Sequence, residues 1–126
     1  MGKYLEEAKK YLEIGEKEIK EGKEKNIIEK AVNGCEKIWL SFNLALKEFL
    51  LQKGVKEEEL PGTIRGLRYM LVKHGDREFT KFFEAVREVF HLTGFYDRCP
   101  MFKEIEMRLE EIKEFYKNLE DKKEGL

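Results

Sequence analysis

His74 and His91 are the only histidines in the chain, and each follows an arginine at short range: Arg68 stands six positions before His74, and Arg87 four before His91. Such pairs suit phosphate chemistry, because a guanidinium stabilises developing charge while an imidazole moves a proton. On one helix, however, six positions turn through about 600°, which leaves Arg68 and His74 roughly 120° apart. They would converge as a catalytic pair only if the helix ended before His74. A histidine preceding Gly75 at a helix end also interacts favourably with the helix dipole, and that is the commoner role. Arg87 and His91 are one turn apart and share a face, so they could bind a phosphate together. A surface ion pair and a half-buried imidazole explain the same residues.

His91 opens the segment FHLTGFYDRCP, which also carries Tyr96, Asp97 and Arg98 beside a predicted helix break. Polar side chains gathered where a helix opens often line a pocket or an interface. Arg87, His91, Tyr96, Asp97 and Arg98 are therefore the candidate binding residues. The plainer alternative is a corner where Phe95 and Tyr96 pack and Asp97 pairs with Arg98. No metal or cofactor is expected. Glu88 and His91 form a single ExxH half-motif, whereas a di-iron bundle needs two. Cys35 and Cys99 stand far apart with no CxxC, and read as two reduced thiols, one buried and one beside a turn, with a Cys35–Cys99 disulfide as the rarer alternative. Gly-rich phosphate loops, GxSxG elbows and HExxH helices are absent from the sequence.

Composition sets the frame for these residues. The 126 positions fit one domain spanning the whole chain. Charged residues make up 40%, yet 25 basic side chains offset 26 acidic ones, so a net charge of -1 creates no global attraction to nucleic acid. The surplus of Lys and Glu, with Gln52 the only glutamine, resembles hyperthermophile composition. The N-terminal MGKYLEEAKK lacks an apolar signal region, and no run approaches the length of a membrane span. A cytoplasmic protein is the expectation.

Apolar spacing predicts an all-α, up-and-down bundle of about five helices. Tyr4, Leu5, Ala8, Tyr11, Leu12 and Ile19 mark a first helix over about residues 3–20, with Gly22 as its stop. The second, over about residues 25–53, carries Ile28, Ala31, Cys35, Ile38, Phe42, Ala45 and Phe49, a stripe widened by Ile27, Trp39, Leu46 and Leu50. It should be the central and most buried element. A loop over residues 55–62 follows. Thr63 should cap a short third helix ending near His74 and Gly75, and Asp76 a fourth with an aromatic face from Phe79 to Phe90. Gly94 and Pro100 bracket a break. Phe102, Ile105, Leu109, Ile112, Tyr116 and Leu119 then form the seam of a fifth helix, fraying beyond Leu119.

The stretches GCEKIWLSFNLALKEFLLQKG, PGTIRGLRYML and AVREVFHLTGFYDRCP, followed by one closing helix, resemble the HEPN superfamily, and within it the archaeal PaREP branch. Glu36, Lys37 and Trp39 match that branch's EK-W helix, while His91, Phe95, Tyr96 and Asp97 match its LH-x-x-FYE corner, with Asp for Glu and Phe90 for Leu. The resemblance implies a bundle that forms homodimers and, in several branches, binds nucleotides or cleaves RNA. Catalytic members carry R-x4–6-H before the final helix, often followed closely by tyrosine. Taking Tyr96 as that tyrosine puts Gly94 at the histidine position, with no arginine upstream. Ile64 likewise stands where the family often has histidine. The implied function is a non-catalytic module binding nucleotide, RNA or a partner protein, with an adjacent nucleotidyltransferase as one candidate partner. The alternative is a metal-independent ribonuclease of toxin–antitoxin type.

Overall fold

A computed structural model describes residues 2–123 and Gly125. All regular structure among them is helical: α1 (Lys3–Glu24), α2 (Ile28–Gln52), α3 (Ile64–His74), α4 (Arg77–Val86) and α5 (Phe102–Lys123). A 3-10 turn at Glu57–Glu59 lies in the loop before α3, and α4 continues directly into a π-helical segment, Arg87–Tyr96. Four rods alternate in direction, with α3 packed beside them through Leu67 and Leu71. None of the described helices is long and apolar enough to cross a membrane.

Glycines set the closeness of the α1–α2 hairpin. A Cβ on Gly15 would lie 2.9 Å from the Gly34 carbonyl, and one on Gly34 would lie 2.7 Å from the Gly15 carbonyl. Only hydrogen fits at that crossing. Gly22 serves the same contact, since a Cβ there would stand 2.6 Å from the Ala31 backbone nitrogen. The expected helix stop at Gly22 is therefore wrong: α1 runs on to Glu24, and the turn is made by Asn26 in a left-handed conformation (φ 56°). This tight turn places Ile27 and Ile28 outside the core, at 45% and 46% exposure, contrary to their expected place on the α2 stripe. Tyr11, expected on the buried stripe of α1, is also exposed.

The register between α1 and α5 is written in charge. Lys9 pairs with Glu120, Glu16 with Lys113 and Lys23 with Glu106, at steps of seven residues along both antiparallel helices. The order on α1 is plus, minus, plus. A slip of seven residues would oppose like charges, so these exposed pairs specify alignment more than they add stability. The expected seam of α5 from Ile105 to Leu119 is buried as read, and the helix extends to Lys123.

Phe42, on α2, lies at the core centre with no exposure. Rings of Phe82 (5.4 Å), Phe115 (5.9 Å), Trp39 (6.3 Å) and Phe83 (6.4 Å) surround it. Phe49 stacks on Phe79 at 4.2 Å. One polar relay crosses this apolar interior. The Tyr116 hydroxyl lies 2.7 Å from Ser41 Oγ, and Ser41 donates to the Ala8 carbonyl, so the relay ties α5, α2 and α1 together. Burial pushes the Tyr116 phenol well above its ordinary range, which keeps it protonated as donor. Replacing Ser41 by Ala leaves that hydroxyl without its acceptor and should cost about 1–3 kcal/mol. Urea unfolding of Ser41→Ala, Tyr116→Phe and the double variant checks this: the double variant should lose less than the sum of the singles.

The expected caps are present. Thr63 Oγ1 accepts from Gly66 N–H at 3.0 Å, and Asp76 Oδ1 accepts from Phe79 N–H at 2.7 Å. The expected break between Gly94 and Pro100 is present, beginning at Asp97. Gly94 lies inside the π-segment, where a Cβ would meet Cys35 Sγ at 2.7 Å. The Asp97 N–H still donates to the Leu92 carbonyl five residues back, and the chain turns at Arg98 in a left-handed conformation (φ 55°).

Candidate functional site

The corner residues come from two antiparallel elements, α2 and the π-segment. Glu36 and Trp39 are three apart on α2 and so occupy neighbouring positions on one flank. Across from them, His91 stacks on Trp39 with ring centroids 5.0 Å apart and planes 21° from parallel. Its Nδ1 lies 3.5 Å from Glu36 Oε2, within ion-pair range but without hydrogen-bond alignment. Tyr96 meets His91 edge-on at 5.2 Å, and Phe95 runs nearly parallel to it at 6.4 Å. The imidazole is therefore walled by three aromatic rings and one carboxylate.

Three polar atoms of this corner are shielded from solvent and have no hydrogen-bond partner among the described residues: Arg87 Nε, His91 Nδ1 and Glu36 Oε2. Each such atom costs about 1–3 kcal/mol when nothing pairs with it. Two of them, on His91 and Glu36, face each other at 3.5 Å beside Tyr96, a residue 68% exposed, while Arg87 stands one turn before His91 on the same segment. On the same segment the exposed Glu88 carboxylate accepts from the Thr93 hydroxyl at 3.3 Å.

Of the candidate binding residues, His91 and Tyr96 are in mutual contact, and Arg87 stands one turn before His91 on the same segment. Arg98 turns away to pair with Glu29 on the first turn of α2, rather than with Asp97. Asp97 is exposed, as is Tyr96, so the alternative of a packed Tyr96 beside an Asp97–Arg98 pair is not what the chain adopts. The candidates Arg68 and His74 stay apart: α3 extends through His74, and Arg68 Nε lies 2.8 Å from Glu84 Oε1 on α4. Glu36 is legible only as a motif residue, and Trp39 only as one and as part of the buried α2 stripe. Their spacing shows a shared flank, but nothing in it shows which helix will face them.

Beneath the corner, Cys35 is buried and its thiol is pushed up to about 12, chiefly by burial and secondarily by the Glu36 carboxylate. Cys99 is free and exposed. Among the described residues no group of three or more His, Cys, Asp or Glu stands together as a metal would require.

Comparison with protein-family models, with curated proteins and with solved structures returns no match.

Proposed function

We propose that the chain is a non-catalytic, HEPN-like nucleotide-binding module, acting as a homodimer. The observation that carries the reading is a set of shielded polar atoms without hydrogen-bond partners, Arg87 Nε and the facing His91 Nδ1 and Glu36 Oε2, with the exposed Tyr96 in contact with His91. A nucleotide matches that set of donors and acceptors. Its base stacks on Tyr96, a phosphate oxygen accepts from the Arg87 guanidinium, and a base or ribose hydrogen-bonding group engages Glu36 and His91. The π-helical winding of residues 87–96 supports the same place, because such segments are rare and frequent at functional sites. A second copy has a surface to meet on the other side of the hairpin, where Tyr11, Ile14 and Leu40 expose apolar side chains.

Ribonuclease chemistry is the weaker reading. Arg68 is occupied by Glu84 and lies on a different flank of α3 from His74, while His91 sits in an aromatic enclosure. Isothermal titration with AMP, ADP and ATP tests the binding role. Micromolar to millimolar binding is expected, weakened about tenfold or more in Arg87→Ala and in Tyr96→Ala, with light scattering reporting a dimer. Absence of binding by all three nucleotides would sink the reading, as would metal-independent RNA cleavage lost on His91→Ala.

A further inference from the structure

The helix α3 departs from the rest of the surface in composition. Its eleven residues, IRGLRYMLVKH, include no acid, whereas every other helix of the chain carries glutamate. Lysines outnumber arginines by 19 to 6 overall, yet α3 carries Arg65 and Arg68 against one lysine, and Arg77 follows just after it. At 100° per residue, Arg65, Arg68, Tyr69 and Val72 fall within about 100° of arc, opposite the face that buries Leu67 and Leu71. That outward face mixes apolar and basic side chains: Tyr69 is 66% exposed and Val72 56%, with Arg65 between them around the helix. Among the described residues, Arg65, Lys73 and Arg77 have no ion-pair partner.

We propose that the outer face of α3 is a docking surface for an acidic, amphipathic helix of a partner protein. Protein interfaces are enriched in arginine, tyrosine and other aromatics and depleted in lysine and glutamate, and α3 shows that shift against a Lys/Glu-rich background. A ridge of Tyr69 and Val72 buries against the partner's apolar stripe, while Arg65, Lys73 and Arg77 meet the carboxylates flanking that stripe. A nucleic acid fits less well. Glu84 already neutralises Arg68, the remaining cations are few for a charged backbone, and phosphates offer nothing to cover Val72 and Ile64. The inference stands independently of the nucleotide reading, because it uses a different helix and none of the corner residues.

The probe is a fluorescein-labelled helical peptide of about sixteen residues with leucines at i, i+3, i+4 and i+7 flanked by glutamates. Its controls are the same peptide with lysine for every glutamate, and a labelled oligouridine. Anisotropy with the full chain should show binding of the acidic peptide alone, weakened about tenfold or more by Arg65→Glu and by Tyr69→Ala. Both residues are solvent-facing, so circular dichroism of the variants should match the parent. Failure of the acidic peptide to bind overturns the proposal, as does equal binding of its lysine counterpart. Indifference to both substitutions, or oligouridine displacing the peptide, overturns it equally.

Discussion

Phe42→Ala is expected to cost about 3–5 kcal/mol, the range found when a fully buried aromatic is truncated to alanine. The side chain has no exposure and stands among four aromatic rings supplied by α2, α4 and α5. Removing it leaves a cavity whose walls are themselves large and interlocked, so they can collapse into it only partly. Because domains of this size are stable by only about 5–15 kcal/mol, the loss is a large fraction of the total. The thermal midpoint should fall by roughly 10–20 °C. Phe42→Leu, which keeps most of the volume, should cost much less, and a calorimetric comparison of the two variants checks the cavity argument. Equal and small losses would mean that the four rings repack without Phe42.

Gly34→Ala is expected to reverse the usual sign of such a change. Within an ordinary helix the replacement stabilises by about 1 kcal/mol, because alanine loses less backbone freedom. At this position the new Cβ would stand 2.7 Å from the Gly15 carbonyl and 2.9 Å from the Ile19 backbone nitrogen. Both obstacles are backbone, so α1 must move bodily from α2 and the packing along the hairpin loosens. A net loss of about 1–3 kcal/mol follows from overpacking of this kind. Gly62→Ala is the matched control, since nothing lies within 4 Å of the Cβ it would add. Chemical denaturation of both variants checks the contrast, and a stabilised Gly34→Ala would contradict the close crossing.

These glycines show where sequence reading reaches its limit. Gly22 looks like a helix stop because glycine disfavours helices, but the same lack of a side chain permits a close helix crossing. Local propensity cannot distinguish the two uses, because the partner, Ala31, lies on the next helix. Periodicity did recover the features that depend on one element alone. The seam of α5 and the buried face of α2 around Trp39, Phe42 and Leu46 follow directly from steps of three and four. Thr63 and Asp76 were legible as caps because a cap bonds within its own first turn.

The candidate site was legible in part for the same reason. Arg87, His91 and Tyr96 could be grouped from the sequence because they lie within ten residues at a helix end. Glu36 and Trp39 could not be joined to them, since that contact depends on how α2 faces the π-segment. The plainer alternative pairs Arg98 with Asp97, its neighbour in sequence. The left-handed turn at Arg98 instead sends it to Glu29, and no spacing rule carries that information.

With only two histidines in the chain, the imidazole resonances give a direct test of where a nucleotide settles. Their nitrogen and ring-proton signals can be followed by NMR while AMP is added to the parent protein and to Arg87→Ala. The proposed corner requires the His91 signals, together with the indole of Trp39, to shift in a saturable manner while His74 stays in place, and the shift to weaken sharply in Arg87→Ala. Shifts confined to His74, or stationary His91 and Trp39 signals at millimolar AMP, would contradict a nucleotide site between α2 and the π-segment.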